Sequence, residues 1–197
     1  MIGICAQSRM GKDTFADNLI NLQKGWNKTS FASELKKLIS TYFDISIDEI
    51  EEYKAKEELH PNLNLKVRHT LQLIGETFRT VSPDVWVNSA MRSIHNDMNK
   101  IIFTDVRHNN EMDAILNKNG LLILLGRTKY LNIDPHPSES SLKDAIIWFL
   151  QNTTDFCVYT KNLPDIPDEY KKFSFFIRND GTIKNLQESI NMVLKKI

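Results

Sequence analysis

Met1-Ile2-Gly3-Ile4-Cys5-Ala6-Gln7-Ser8-Arg9-Met10-Gly11-Lys12-Asp13-Thr14-Phe15 is the stretch whose reading decides the fold. Ile2 and Ile4, with Cys5 and Ala6 behind them, make a short apolar strand, and Phe15, Ala16, Leu19, Ile20 and Gln23 trace a helical period. Between the two, the chain nearly fits G-x-x-x-x-G-K-[ST]. In that loop glycines bend the backbone so that N–H groups point inward, a lysine reaches the β/γ-phosphates and a hydroxyl ligates magnesium. Ala6 stands where the first glycine belongs, and Asp13 takes the hydroxyl position. The anion of such a loop sits on the helix N-terminus, where unpaired N–H groups and the macrodipole converge. The bland alternative is a chance Gly-Lys-Asp-Thr after an apolar run, with Lys12 merely solvated.

Composition narrows the function class. The 197 residues suit one α/β domain with a small inserted lid. Twenty-five basic residues balance twenty-five acidic ones, which argues against a general nucleic-acid or membrane surface and favours a small anionic ligand. Cys5 and Cys157 form neither a metal spacing nor a disulfide framework, and they read as small buried hydrophobes of a reducing compartment. With no apolar run of membrane-spanning length and no charged leader, the expectation is a soluble, cytoplasmic protein.

Strand patterns alternate with helical ones along the chain, the signature of a mostly parallel sheet covered on both faces. Residues 26–31 read as a second strand, and Ser33 to Phe43 as an amphipathic helix with Leu35, Leu38, Ile39 and Tyr42 on its stripe. Ser46 and Glu49 form a capping box that opens a charged helix to about Leu59. Lacking a clean apolar stripe, that helix reads as an exposed excursion. The next helix carries Val67, Leu71, Ile74 and Phe78, with Arg68, Gln72 and Gly75 on another side and Arg79 just beyond. Guanidinium and amide donors so spaced suit bidentate capture of a phosphate, though alone they read as ordinary surface charge. Ser82-Pro83-Asp84 reads as a helix start, followed by a stripe of Val85, Trp86, Ala90, Met91 and Ile94. Trp86 is core, cleft wall or a base-stacking surface.

The second strong signal is Ile101-Ile102-Phe103-Thr104-Asp105-Val106-Arg107, a buried strand ending in Asp105. Ligands of open α/β sheets bind at the carboxyl edge, where an aspartate can hold magnesium or its water and Arg107 can pair with a phosphate. Glu111 is either part of that site or a first-turn carboxylate complementing the helix dipole. Asn119-Gly120 closes the helix, and Leu121 to Leu125 is another continuous apolar strand. Phe173 to Ile177 reads as a strand, Asp180-Gly181 as a turn, and Leu186, Ile190, Val193 and Leu194 as a terminal helix.

Five pieces in order carry a family resemblance: SRMGKDT at 8–14, RHTLQLIGE at 68–76 with DVWVN at 84–88, TDVRHNNE at 104–111, HPSE at 136–139 and RNDGTIKNL at 178–186. The chain resembles the phage-type deoxynucleoside monophosphate kinases, P-loop enzymes that transfer the γ-phosphoryl of ATP to a dNMP. The resemblance implies a three-layer α/β fold with a mostly parallel sheet. It implies a single kinase domain over residues 1–197, with a helical acceptor-binding insertion at about 44–98 and a lid-like segment at about 127–140. By the same resemblance, Arg9, Gly11, Lys12, Asp13 and Thr14 bind ATP, with Asp13 and Thr14 near Mg²⁺. Arg68, Gln72, Gly75, Arg79, Trp86, Asp105, Arg107 and Glu111 line the dNMP site, and Lys12, Arg107 and Arg127 serve catalysis. His136, between two prolines, reads as a ligand contact or a rigid turn residue.

Ala6, in place of the first glycine, and Met10, where the family usually has a small residue, depart from the family's loop, and residues from about 141 to 167 align least well. The implied partners are ATP and dNMP, without nucleic acid or membrane, a homodimer being allowed; the implied place is the cytoplasm, a host's for a phage protein. Three alternatives stay open at this stage: a small-molecule phosphate kinase of the phosphomevalonate-kinase type, which shares a Gly-Lys-Asp loop; a nucleotide-binding module without catalysis; and a nucleic-acid-handling P-loop protein.

Overall fold

The computed structural model describes residues 1–94, 100–131 and 142–197, and it divides into two compact units. The first comprises Met1–Ser30 with Asn96–Ile197, and the second Phe31–His95.

The first unit is built on a six-stranded sheet ordered β2-β3-β1-β4-β6-β5. Its strands are β1 (Ile2–Cys5), β2 (Asn27–Thr29), β3 (Ile101–Val106), β4 (Leu121–Gly126), β5 (Cys157–Tyr159) and β6 (Phe175–Arg178). All pair in parallel except β5, which runs antiparallel to β6. The central strands are nearly continuous apolar runs because helices cover both of their faces.

On one face, Gly3 and Leu122 lie under Ile115 of α6 (Asn109–Leu116), and Gly126 with Phe176 under α7 (Lys143–Asn152). Phe149 of α7 stacks on Phe176 there, with ring centroids 4.9 Å apart. The other face belongs to α1 (Lys12–Leu22) and α8 (Ile183–Leu194), which bury Phe15, Ala16 and Leu19 and, in turn, Leu186, Ile190 and Val193. These are the three layers that the family resemblance implied.

The second unit is helical: α2 (Ser33–Phe43), α3 (Ile47–Lys56), α4 (Val67–Val81) and α5 (Val85–Ser93). Leu35, Ile39, Ile45, Ile50, Leu63, Val67 and Trp86 form its own core. Three expectations need correcting here. The charged helix α3 is no exposed excursion, since Ile50 is completely buried and Tyr53 packs against the same cluster. One well-placed isoleucine per three turns is enough to anchor a helix whose remaining surface is solvated. Tyr42, read as part of the α2 stripe, is 80% exposed. Ser82 does not cap α5: its carbonyl accepts from Val85 N in a turn, and the helix starts at Val85.

The capping box at Ser46 and Glu49 is present in both directions, and the left-handed Asn119 ends α6 as read. The helix α7 and the strand β5, both within the stretch that aligned least, complete the sheet unit.

Candidate phosphate-binding site

The chain leaves β1 toward β2 on one side of the sheet and leaves β4 toward β5 on the other, so adjacent strands β1 and β4 mark a topological switch point. Crevices outside the carboxyl ends of such strands are where open α/β sheets take ligands. The loop from Ala6 to Gly11 lies there and runs directly into α1, with Gly11 as its N-cap at φ 91°. A side chain at this residue would be strained by the left-handed backbone and would also meet the Asn179 amide, 2.2 Å from an added Cβ.

Both departures from the motif find a place. Ala6 is not among the positive-φ residues, so its methyl group meets no left-handed penalty; that conformation falls on Arg9 instead, at φ 64°. Met10 is completely buried, and its side chain fills core space below the loop.

Lys12 and Asp13 occupy the first turn of α1, where Lys12 Nζ lies 2.8 Å from Asp13 Oδ2. Thr14 is exposed beside them. Asp13, at the positive end of the helix dipole, complements that dipole. Among the described residues no cluster of three His, Cys, Asp or Glu side chains forms an all-protein cage. The donor set still fits Mg²⁺, which is held by one or two carboxylates together with substrate phosphates and water.

Next to β1, the register with β3 slips between Gly3↔Phe103 and Cys5↔Val106: two steps along β1 match three along β3. The extra residue falls at Thr104-Asp105, a bulge of the kind that re-aims side chains beside active sites. Arg107 follows immediately. Glu111 is 97% hidden from solvent and its Oε2 accepts from the backbone N–H groups of Arg107 and His108, at 2.8 and 3.0 Å. Its carboxylate thus shapes the turn that carries Arg107.

On the other side of β1, Arg127 follows the end of β4, with its guanidinium carbon 5.3 Å from the Tyr130 ring centroid. Residues 127–131 of the lid-like segment are described and include a 3₁₀ turn, Thr128–Tyr130. The rest of that segment, with His136 and the HPSE motif, lies outside the described residues, as does the end of the 44–98 insertion.

The remaining candidates belong to the helical unit. Arg68, Gln72, Gly75 and Arg79 share α4, and Trp86 is on α5. Arg68 Nε lies 2.7 Å from Glu57 Oε1 and Arg79 Nη1 lies 2.9 Å from Glu76 Oε1, so both guanidiniums are already oriented by carboxylates. Trp86 is buried and donates its indole N–H to the Gly75 carbonyl at 3.1 Å. That bond ties α5 to α4, while the bare Cα of Gly75 faces Leu35 of α2.

One contributor escaped the sequence reading. Asn179, placed within an ordinary turn before α8, reaches the phosphate loop across the unit. Its only signal was membership of the RNDG motif.

No family model matches the chain. Among solved structures, a dephospho-CoA kinase from Campylobacter jejuni aligns with a TM-score of 0.42 at 14% identity, over 99% of this chain and 95% of its own. In sequence, the chain is 27% identical over 161 residues to a protein of Acanthamoeba polyphaga mimivirus named "Putative deoxynucleotide monophosphate kinase", covering 73% of this chain and 82% of that relative. The structure is a three-layer α/β fold with a mostly parallel sheet and a glycine-capped loop at its switch point. Lys12 opens α1 beside the loop, and Asp105, Arg107 and Arg127 stand at the ends of the two strands flanking β1.

Proposed function

We propose that this protein transfers the γ-phosphoryl group of ATP to a deoxynucleoside monophosphate, giving ADP and dNDP. The observation that carries the reading is the Gly11-Lys12-Asp13-Thr14 turn opening α1 beside the Asp105–Arg107 end of β3. The name of the mimivirus relative and the order of the five motifs support the choice of acceptor.

Phosphoryl transfer asks the protein for position and electrostatics more than for covalent chemistry. Lys12 leaves Asp13 for the β/γ-phosphate oxygens and neutralises their charge, while the N–H groups at the start of α1 hold the same oxygens through the helix dipole. Asp13 and Thr14, with Asp105, are the residues that would hold Mg²⁺, which when bound screens the charge of the phosphates. Arg127 stabilises the charge that spreads over the migrating group. Arg107, held by the turn that Glu111 organises, pairs with a phosphate from the β3 side.

In the helical unit, Arg68, Gln72 and Arg79 are assigned to the acceptor phosphate, and Trp86 and Gly75 to the scaffold beneath them. The acceptor needs no strong general base, because a phosphate monoester with a second pKa of about 6 is largely ionised at neutral pH.

The test is ADP release measured with dAMP, dGMP, dCMP, dTMP, hydroxymethylated dCMP and the ribonucleotides, on wild type and Lys12→Ala. Turnover of several dNMPs is expected, falling at least about a hundredfold in the variant, the scale of one lost transition-state donor. ATP binding without ADP production in the presence of any dNMP would sink the assignment.

A further inference from the structure

Asn179 and Asp180, which follow Arg178 at the end of β6, touch the elements that the phosphotransferase reading brings to the γ-phosphate. Arg178 supplies the base: its Nη2 donates to the Leu150 and Thr153 carbonyls at 2.6 and 2.7 Å, fastening the end of β6 to the last turn of α7. Asn179 donates its backbone N–H to the Gly126 carbonyl at 2.8 Å and its side-chain Nδ2 to the Met10 carbonyl at 2.9 Å. One residue thus joins the phosphate loop to the end of β4. Asp180 continues the join by accepting from Thr128 N at 2.9 Å and from Thr128 Oγ1 at 2.7 Å, one residue beyond Arg127.

The bond to Met10 has a directional consequence. In a trans peptide the C=O and the following N–H point in opposite directions. Holding the Met10 carbonyl on Asn179 therefore turns the Gly11 N–H away from Asn179. The left-handed Gly11 lets the side-chain amide sit directly against the backbone there, in the space a Cβ would fill. On the other flank, the two bonds from Asp180 fix both the backbone and the side chain of Thr128, and with them the direction in which the chain leaves Arg127.

We propose that Asn179 and Asp180 are positioning residues: Asn179 aims the phosphate loop for ATP, and Asp180 orients the Arg127 arm against the same phosphates. The dipeptide keeps donor binding and charge stabilisation in register. The inference rests on the phosphotransferase reading, and its test separates the two.

Mg·ATP binding by calorimetry, thermal melting and steady-state kinetics are measured on wild type, Asn179→Ala, Asn179→Asp, Asp180→Ala, Asp180→Asn and Thr128→Val. Asn179→Ala is expected to weaken Mg·ATP binding about tenfold, the scale of a part-buried carbonyl left without its donor, with the acceptor KM unchanged. Asn179→Asp keeps the size but cannot donate when ionised, and it carries the test should the alanine variant fail to fold. Thr128→Val, at an exposed position, and Asp180→Ala are expected to bind Mg·ATP as wild type does while kcat falls. Asp180→Asn, which still offers an oxygen to Thr128, recovers most of the loss.

Equal Mg·ATP binding by wild type and the folded Asn179 variants overturns the Asn179 half. Unchanged kcat in Thr128→Val and Asp180→Ala overturns the Asp180 half. A wild type that binds Mg·ATP but phosphorylates no dNMP defeats the proposed acceptor alone; the Asn179 titration still reads out, and basal ATP hydrolysis replaces kcat for the Asp180 half.

Discussion

Lys12 and Asp13, adjacent in sequence, face each other across 2.8 Å at the first turn of α1. The pair is partly exposed, so the attraction itself contributes little to folding. On the proposed function its value is local: the carboxylate holds the lysine at the start of α1 until a phosphate takes it, and Asp13 is then left to the cation that accompanies the phosphate.

Asp13→Asn is therefore expected to shift the Mg²⁺ concentration for half-maximal turnover upward several-fold, with a smaller change at saturating Mg²⁺. A magnesium titration of ADP release at fixed ATP measures it. Superimposable titrations for wild type and variant would remove Asp13 from the metal site.

The helical unit has its own core, and Trp86 is its largest member. Trp86→Ala is expected to cost about 3–5 kcal/mol, the scale for emptying a large aromatic site. Trp86→Phe keeps most of the apolar volume but loses the bond to the Gly75 carbonyl, for about 1 kcal/mol. Urea unfolding followed by far-UV circular dichroism checks both; equal stability of the two variants would mean that indole volume does not matter to this unit.

Acid should loosen the same unit through Glu51. Burial opposes ionisation of this carboxyl, but hydrogen bonds and charge from Lys36 and Lys54 outweigh it and hold its pKa at about 2. A carboxyl depressed in the folded state adds stability above its unfolded value of about 4.3 and loses it as pH falls from there through about 2. Since Glu51 is 45% exposed, solvent screens much of the effect. Urea midpoints between pH 5 and pH 2, within about that range, are expected to fall less steeply for Glu51→Gln than for wild type. Parallel curves would show that the Lys36–Glu51–Lys54 cluster is thermodynamically silent.

Neither cysteine should behave as a reactive thiol. Burial raises the Cys5 thiol far above its ordinary range, and it pushes Cys157 up to about 12. Modification by a colorimetric disulfide reagent at neutral pH is expected to be negligible for the native protein and complete in urea. Rapid native labelling would mean that β1 or β5 opens readily, since both side chains lie within the sheet layers.

What the sequence made legible follows from how local each signal is. The β1–loop–α1 unit, β3 with Asp105, and β4 could be read because apolar run, turn and helix lie side by side in the chain. Residues 143–150 of α7 defeated the same logic: Ala145, Ile146, Ile147, Trp148, Phe149 and Leu150 are consecutive apolar residues, so no helical period stands out. Ile50 was hidden for the opposite reason, a single buried residue among charges. The β3 bulge at Thr104-Asp105 depends on pairing with β1, and the Asn179 contact joins positions 169 residues apart. No reading of neighbouring residues contains either. Arg68 was visible as a cation, but its partner Glu57, outside α4, required the folded geometry of the helical unit, whereas the Glu76–Arg79 pair is a local one on α4.

The two rims of the sheet bear on how the protein behaves in a crowded solution. An open β edge offers unpaired N–H and C=O groups to any extended segment that drifts by, which is how many folded proteins begin to aggregate. Here the rims are β2 and β5, each three residues long. At β2 the strand is Asn27-Lys28-Thr29, with the Lys28 ammonium 2.6 Å from Asp17 and partly exposed. Such an edge is too short and too polar to template a new strand, so the apolar interior of the sheet is guarded at β2 by brevity and charge.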